Sequence, residues 1–282
     1  MSAPQPDHGL HWRPILDVAA ITQDWLDREF DQCDLWGTWP LPQGSGGDGE
    51  ARLFVMRRSS GPLCRQYLFA ERPEEGAWVG LSGYPVLLEG IPNPARIEAV
   101  EALAQGVDAR IRCSVVPEGE AVTFFHPLLF VGDAVVAPGV EVEVVFAALA
   151  LSAQRLERVR FTISSGPVWE HFRELRLAEG ESSEQAQRPL VCDMSQTVAY
   201  LPWDENYPDE AQFLGRVEEV GRFEHFGLAM YRLGMVLQRT EEKDWRVPVF
   251  ATERVLGGYV PQPGDMVSGT LWLQGAILGV RA

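Results

Sequence analysis

A stretch near the carboxyl end repeats an earlier one, and this repeat limits the folds open to the chain. With Phe125 set against Phe250 and no gap, Gly132 falls on Gly257 and Val135 on Val260. Pro138 then falls on Pro263, Gly139 on Gly264 and Val142 on Val267. These are six identities in the eighteen positions from 125 to 142, where average residue usage gives about one. A second match sets Arg96-Ile97-Glu98-Ala99-Val100 against Arg216-Val217-Glu218-Glu219-Val220. Its offset is 120 against 125 for the first, so five residues are inserted between the matches. The chain reads as an internal duplication.

Each repeat is strand-rich. Proline fixes φ and glycine accepts φ > 0, so Pro138-Gly139 and Pro263-Gly264 predict tight turns. Val140, Val142 and Val144 alternate with Glu141 and Glu143 after the first turn, the period of a half-buried strand. After the second, Val267, Gly269, Leu271 and Leu273 share a face. Further strands are expected at 96–100, 109–116, 121–131, 216–220, 228–238 and 246–255. Four or five strands in some 55 to 60 residues bury themselves economically by closing into a small barrel, because closure removes sheet edges. The run from Gly215 to Gly275 resembles an OB-fold in its long first strands and in the Pro-Gly turn before a final apolar strand. SH3-like barrels and half-sandwiches share that pattern. The resemblance implies a binding surface and no particular activity.

The expected architecture is therefore mostly β. It consists of two tandem OB-like modules, at 51–152 and 153–282, behind an N-terminal helix and flexible arm at 1–50. The helix is expected over Asp17–Phe30, where Val18, Ile21, Trp25 and Phe30 form an apolar stripe, with Asp17 as its cap. A loop from Leu35 to Pro42 carries Trp36 and Trp39. They either anchor the loop to the core or serve a partner. Gln43 to Glu50 reads as a joint. A helix is expected over Val168–Ala178, then a polar loop over Glu181–Arg188.

Charge narrows the function. The formal charge is −16 with 24 basic and 40 acidic residues, and Lys243 is the only lysine. From Glu170 to His225, thirteen acidic residues face five arginines, so half of the excess lies in a fifth of the chain. No basic stripe exists to displace counterions from a nucleic-acid backbone, so direct nucleic-acid binding is not expected. An anionic membrane surface is equally unfavourable. The longest apolar run, Val144 to Leu151, is eight residues, short of a bilayer span. The amino terminus lacks the basic and apolar regions of a signal peptide. Cys33, Cys64, Cys113 and Cys192 have neither zinc nor redox spacing, so reduced thiols in the cytoplasm are expected.

No catalytic motif emerges. Phosphate loops, zinc-binding histidine pairs at helical spacing and nucleophile elbows are all missing from the sequence. Glu170-His171 and Glu224-His225 look alike, but adjacent residues face different ways. No catalytic, cofactor-binding or metal residue is assigned. The densest candidate surface is the stretch Leu201 to Glu210, read as a loop. There Asp204, Glu205, Asp209 and Glu210 surround Trp203 and Tyr207, combining steering charge with aromatic anchors. With Trp36 and Trp39, these are the candidate contacts for a basic protein partner. The expected function is that of a non-catalytic cytoplasmic interaction protein of a bacterial type, resembling an immunity protein or inhibitor that covers a basic partner. The alternatives are an enzyme with dispersed residues between the modules and a structural subunit of a larger assembly.

Overall fold

A computed structural model describes residues 8–17, 21–33, 35–40, 52–72, 77–103, 106–115, 119–127 and 136–280. The joint at 43–50 and the matched residues Gly132 and Val135 lie outside them. After a 3-10 turn at His8–Trp12, helix α1 spans Gln23–Asp31. Its cap is Thr22, whose hydroxyl accepts from the Trp25 N–H at 3.2 Å, so the helix starts later than Asp17. The stretch read as a loop from Leu35 is strand β1, Leu35–Pro40. It begins an antiparallel four-stranded meander with β2 (Arg52–Ser60), β3 (Leu63–Arg72) and β4 (Ala77–Leu87).

The next four strands are β5 (Ile91–Leu103), β6 (Asp108–Ser114), β7 (Val122–His126) and β8 (Glu141–Arg155). An excursion follows, with β9 (Arg160–Ile163), α2 (Pro167–Ala178), α3 (Ser183–Ala186) and β10 (Leu190–Asp193). Helix α3 lies where a polar loop was expected; Ser182 and Gln185 close a reciprocal capping box around it. The chain returns through β11 (Ala199–Asp204), β12 (Tyr207–His225), β13 (Leu228–Arg239) and β14 (Asp244–Thr252). A short helix α4 (Glu253–Leu256) and strand β15 (Met266–Val280) complete it.

The sequence repeat is a repeat of strand pairing. Arg96 pairs with Glu141, and Arg216 pairs with Met266. These are the same pair under the two offsets. Likewise Phe125 pairs with Gln274 and Phe250 with Leu149, both in parallel. Around the Pro-Gly turns, the Gly139 N–H donates to the Ile97 carbonyl at 2.8 Å, and the Gly264 N–H donates to the Val217 carbonyl at 2.8 Å. Both turn glycines have positive φ, 88° and 97°, which explains their identity in each copy. Even the bulges match, between Ile97 and Ala99 and between Val217 and Glu219.

The two units are not consecutive beads. Strands β5, β6, β7, β15 and β8 close one hydrogen-bonded ring; β12, β13, β14, β8 and β15 close another. The long β8–β15 pair belongs to both, so the expected boundary at 152/153 falls inside β8. This position explains the apolar run at 144–151. Ala148 and Ala150 face the ring core, while Ala147 and Leu149 face a second core beneath the meander. Leu271 and Leu273 divide from Trp272 in the same way. A strand buried on both faces loses its polar alternation.

Crossing strands demand close approach at one point. A Cβ on Gly269 would lie 2.0 Å from the Ser152 carbonyl oxygen. Backbone cannot yield as a side chain can, so Gly269→Ala is expected to cost about 2 kcal/mol through overpacking. A urea midpoint shift at unchanged slope measures it; an unshifted midpoint would show that β8 and β15 separate freely there.

Candidate functional site

The acidic stretch at 201–210 is a hairpin, not a loop. Strand pairing runs from Ala199 opposite Leu214 to Asp204 opposite Tyr207. Asp204 sets the turn, its Oδ1 accepting from the Asn206 N–H at 2.8 Å, an Asx-turn. Period two then sorts the side chains. Leu201 and Trp203 point outward and are each 54% exposed. Glu205 is exposed at the turn, and Asp204 and Tyr207 are half-buried.

Asp209 points inward and is 1% exposed. Its Oδ2 accepts from Trp272 Nε1 at 2.8 Å, and its Oδ1 lies 2.9 Å from Arg110 Nε. The Arg110 guanidinium in turn sits 5.8 Å from the Tyr207 ring centroid. Glu210 accepts from His11 Nε2 at 2.9 Å, and the His11 ring stacks on Trp272 at 3.8 Å with the planes 3° apart. These two carboxylates hold the 3-10 turn, β6, β12 and β15 together. Neither is available to a partner, which corrects the reading of the whole loop as a docking surface. Trp39 packs half-buried against the core beneath the meander, the anchoring role. The side chain of Trp36 lies outside the described residues.

Two polar junctions stitch the meander to the rings, and neither has a sequence signature. In the first, Arg57 Nε donates to Gln66 Oε1 at 2.6 Å, and Gln66 Nε2 donates to the Tyr84 hydroxyl at 3.0 Å. Tyr84 faces Asp108, which is fully buried; burial pushes the Asp108 carboxyl up to about 6. In the second, Glu29 of α1 accepts from Arg65 Nη1 at 3.0 Å and from the Tyr67 hydroxyl at 3.0 Å, with Arg58 also bonded to it. His225, at the end of β12, donates from Nδ1 to the Ser60 carbonyl at 3.1 Å. A carbonyl only accepts, so the proton sits on Nδ1. That leaves the Nε2 lone pair for Arg65 Nε, 3.3 Å away. Beside it, Phe226 adopts φ 47° and lies under both guanidinium groups, 4.3 Å from Arg58 and 4.4 Å from Arg65. In this second junction, partners 29 to 165 residues apart leave no local spacing to read.

Such groups can carry acid–base chemistry only where a substrate reaches them. Among the described residues, three of the cavities, of about 270, 210 and 420 Å³, are lined respectively around Arg216 and Gly264, around Arg57 and Gln274, and around Ser152 and Thr270. Asp108, Asp209, His126 and His225 line none of the three. Among the described residues no group of three or more His, Cys, Asp or Glu side chains is placed to hold a metal ion. No helix among them is long and apolar enough to cross a membrane.

The excursion between β8 and β11 differs from the rest. Its strands pair only with each other. From 157 to 196 the single buried side chain is Ala186. Helix α2 turns Trp169, Arg173 and Arg176 toward α3. Arg176 Nη1 donates to the Arg188 carbonyl at 2.7 Å, and Arg173 lies 5.4 Å from the Trp169 ring centroid. The adjoining face carries Val168, Phe172 and Leu175, which are 53%, 40% and 43% exposed.

The chain matches no protein-family model, no curated protein and no solved structure.

Proposed function

We propose that this chain is a non-catalytic interaction protein that binds a basic protein partner, as an immunity protein or inhibitor does. The observation that carries this reading is the tip of the β11–β12 hairpin. Leu201 and Trp203 stand more than half exposed there, with the carboxylates of Asp204 and Glu205 beside them. A tryptophan in that setting supplies a large anchor, and the charges steer a cationic surface toward it. The chain's charge of −16 extends the steering field beyond the hairpin. Of the candidate contacts, Trp203, Asp204, Glu205 and Tyr207 remain in the proposal. Four free cysteines support the cytoplasmic expectation.

The OB-like reading belongs to the same proposal. Each ring runs first, second, third, fifth, fourth strand and back to the first, with the fifth taken from the other unit. Its third and fifth strands are parallel. That order supports two small barrels of OB type that have exchanged their last strands.

The test is a pull-down at physiological salt with the full chain, run beside Trp203→Ser. Loss of a central tryptophan anchor removes about 2 kcal/mol or more of binding. A basic protein held by the native chain should therefore drop about thirtyfold or more in the variant. The same partner retained equally by both, or an acidic partner, defeats the proposal.

A further inference from the structure

We infer that the cavity around Arg216 and Gly264 binds a phosphate group, free or carried on a small molecule. This goes beyond the interaction reading above and does not rest on it, because the hairpin tip lends the cavity no lining residue. The cavity lies where β12 changes partners. Leu214 pairs with Ala199 of β11, and three residues later Val217 pairs with Met235 of β13. Both β12 and β13 are bulged at this handover, between Val217 and Glu219 and between Val236 and Gln238. A bulge bends its strand and re-aims side chains. The gap is lined by Arg216 of β12, by Arg239 at the end of β13, and by Gln196 and Thr197 of the segment entering β11.

Charge selects the ligand. Arg216 makes no ion pair and no side-chain hydrogen bond among the described residues. The carboxylates around it are already engaged. Glu218, which also lines the cavity, accepts from Arg246 at 3.2 Å. Asp244 holds Arg239 at 2.9 Å and Arg246 at 3.2 Å. Asp265, next to the turn glycine, pairs with Arg155 at 3.1 Å, and its other oxygen accepts from the Tyr259 hydroxyl and the Gln262 N–H. These three carboxylates are matched by Arg155, Arg239 and Arg246, which leaves the charge of Arg216 over.

The Pro-Gly turn does not call for that charge. The first copy makes the same turn hydrogen bond, yet a Cβ on Gly139 would meet nothing within 4 Å. A Cβ on Gly264 would lie 3.7 Å from Arg216 Nη2, so the guanidinium packs on the second turn without serving it. One guanidinium satisfies both oxygens of a planar carboxylate. A phosphate has oxygens left for further donors, and Arg239, Thr197 and Gln196 supply them from two other segments. The volume of about 270 Å³ falls just below the range of about 300–1,000 Å³ that suits drug-sized ligands, so whatever carries the phosphate is small.

The probes are inorganic phosphate and glycerol phosphate, with succinate and glycerol as controls. Each is titrated calorimetrically against the full chain at pH 7 in a phosphate-free buffer. A phosphate should bind about tenfold or more tightly than succinate, and glycerol should give no heat. Arg216→Gln should weaken phosphate binding about tenfold or more, and Arg239→Gln, whose charge is shared with Asp244, about threefold. Arg216→Lys keeps the charge without the fork and should fall between native and glutamine. Because Arg216 is exposed, Arg216→Gln should keep the native melting temperature and lose only the rise that phosphate gives the native chain. Tighter binding of the ester assigns the site to a phosphorylated small molecule; equal binding assigns it to free phosphate. Succinate as tight as phosphate, unchanged affinity in Arg216→Gln, or no heat and no melting shift with either phosphate overturns the inference.

Discussion

Asp209→Ala is expected to lower the unfolding free energy by about 3–5 kcal/mol, the cost of stranding a buried charge. Arg110 is 8% exposed, and its other ion pair among the described residues, with the exposed Glu101, is a long one at 3.9 Å. Removing Asp209 leaves a guanidinium without a close counter-ion inside the junction of the two rings. The Trp272 indole N–H loses its acceptor in the same stroke. Asp209→Asn separates the two losses, since an amide oxygen still accepts from the indole but offers no charge. It should fall between the native chain and alanine. Urea unfolding at pH 7 measures both. A loss below about 1 kcal/mol for alanine would mean that water reaches Arg110, and the buried description of this junction would be wrong.

Acid should destabilise the protein well before its carboxylates are all protonated. Burial pushes His225 down from 6.5 to about 4, with the nearby Arg65 and Arg58 charges adding to it. The Ser60 carbonyl and Glu29 work the other way. Burial likewise pushes His126 down to about 4. For a base with a depressed folded pKa, the unfolded chain binds the proton first. Stability is therefore intact above about 6.5 and falls as the pH drops toward 4, by about 3 kcal/mol for each histidine. Asp108 opposes them. Its folded pKa is raised from 3.8 to about 6, so the folded state takes up that proton first and gains about 3 kcal/mol between those values. The net expectation is a loss of about 3 kcal/mol between pH 6.5 and 4. His225→Asn keeps an N–H for Ser60 but does not titrate, so this variant should lose almost none of its stability over that range. Denaturant midpoints at pH 7, 6, 5 and 4 decide it. A variant as acid-sensitive as the native chain would show that His225 titrates normally.

What the sequence made legible was local or repeated. The Pro-Gly turns could be read because proline and glycine act on their own backbone, and the repeat brought out the matching Arg96 and Arg216 segments. Helix α2 followed from its own periodicity. The sharing of β8 and β15 did not follow, because strand identity carries no record of which strand lies alongside. The acidic hairpin shows the limit most sharply. Glu205 and Asp209 are four residues apart and equally acidic, yet one is in water and the other is enclosed. Their fates were settled by strand phase and by Arg110, 99 residues earlier in the chain. Composition could find the cluster of carboxylates; only the register could sort it. The His225 junction was further out of reach, since its members come from α1, β2, β3 and β12.

The shared strand pair also orders the events of synthesis. Both rings close through β15, whose residues 266–280 leave the ribosome after every other strand of the described residues. Until then β7 and β8 present open edges in the first ring although its own four strands have long been made. At ordinary elongation rates that delay is on the order of ten seconds. During it, the apolar outer and inner faces of β8 are both uncovered, a surface open to non-native pairing until β15 arrives. Neither ring can be born first.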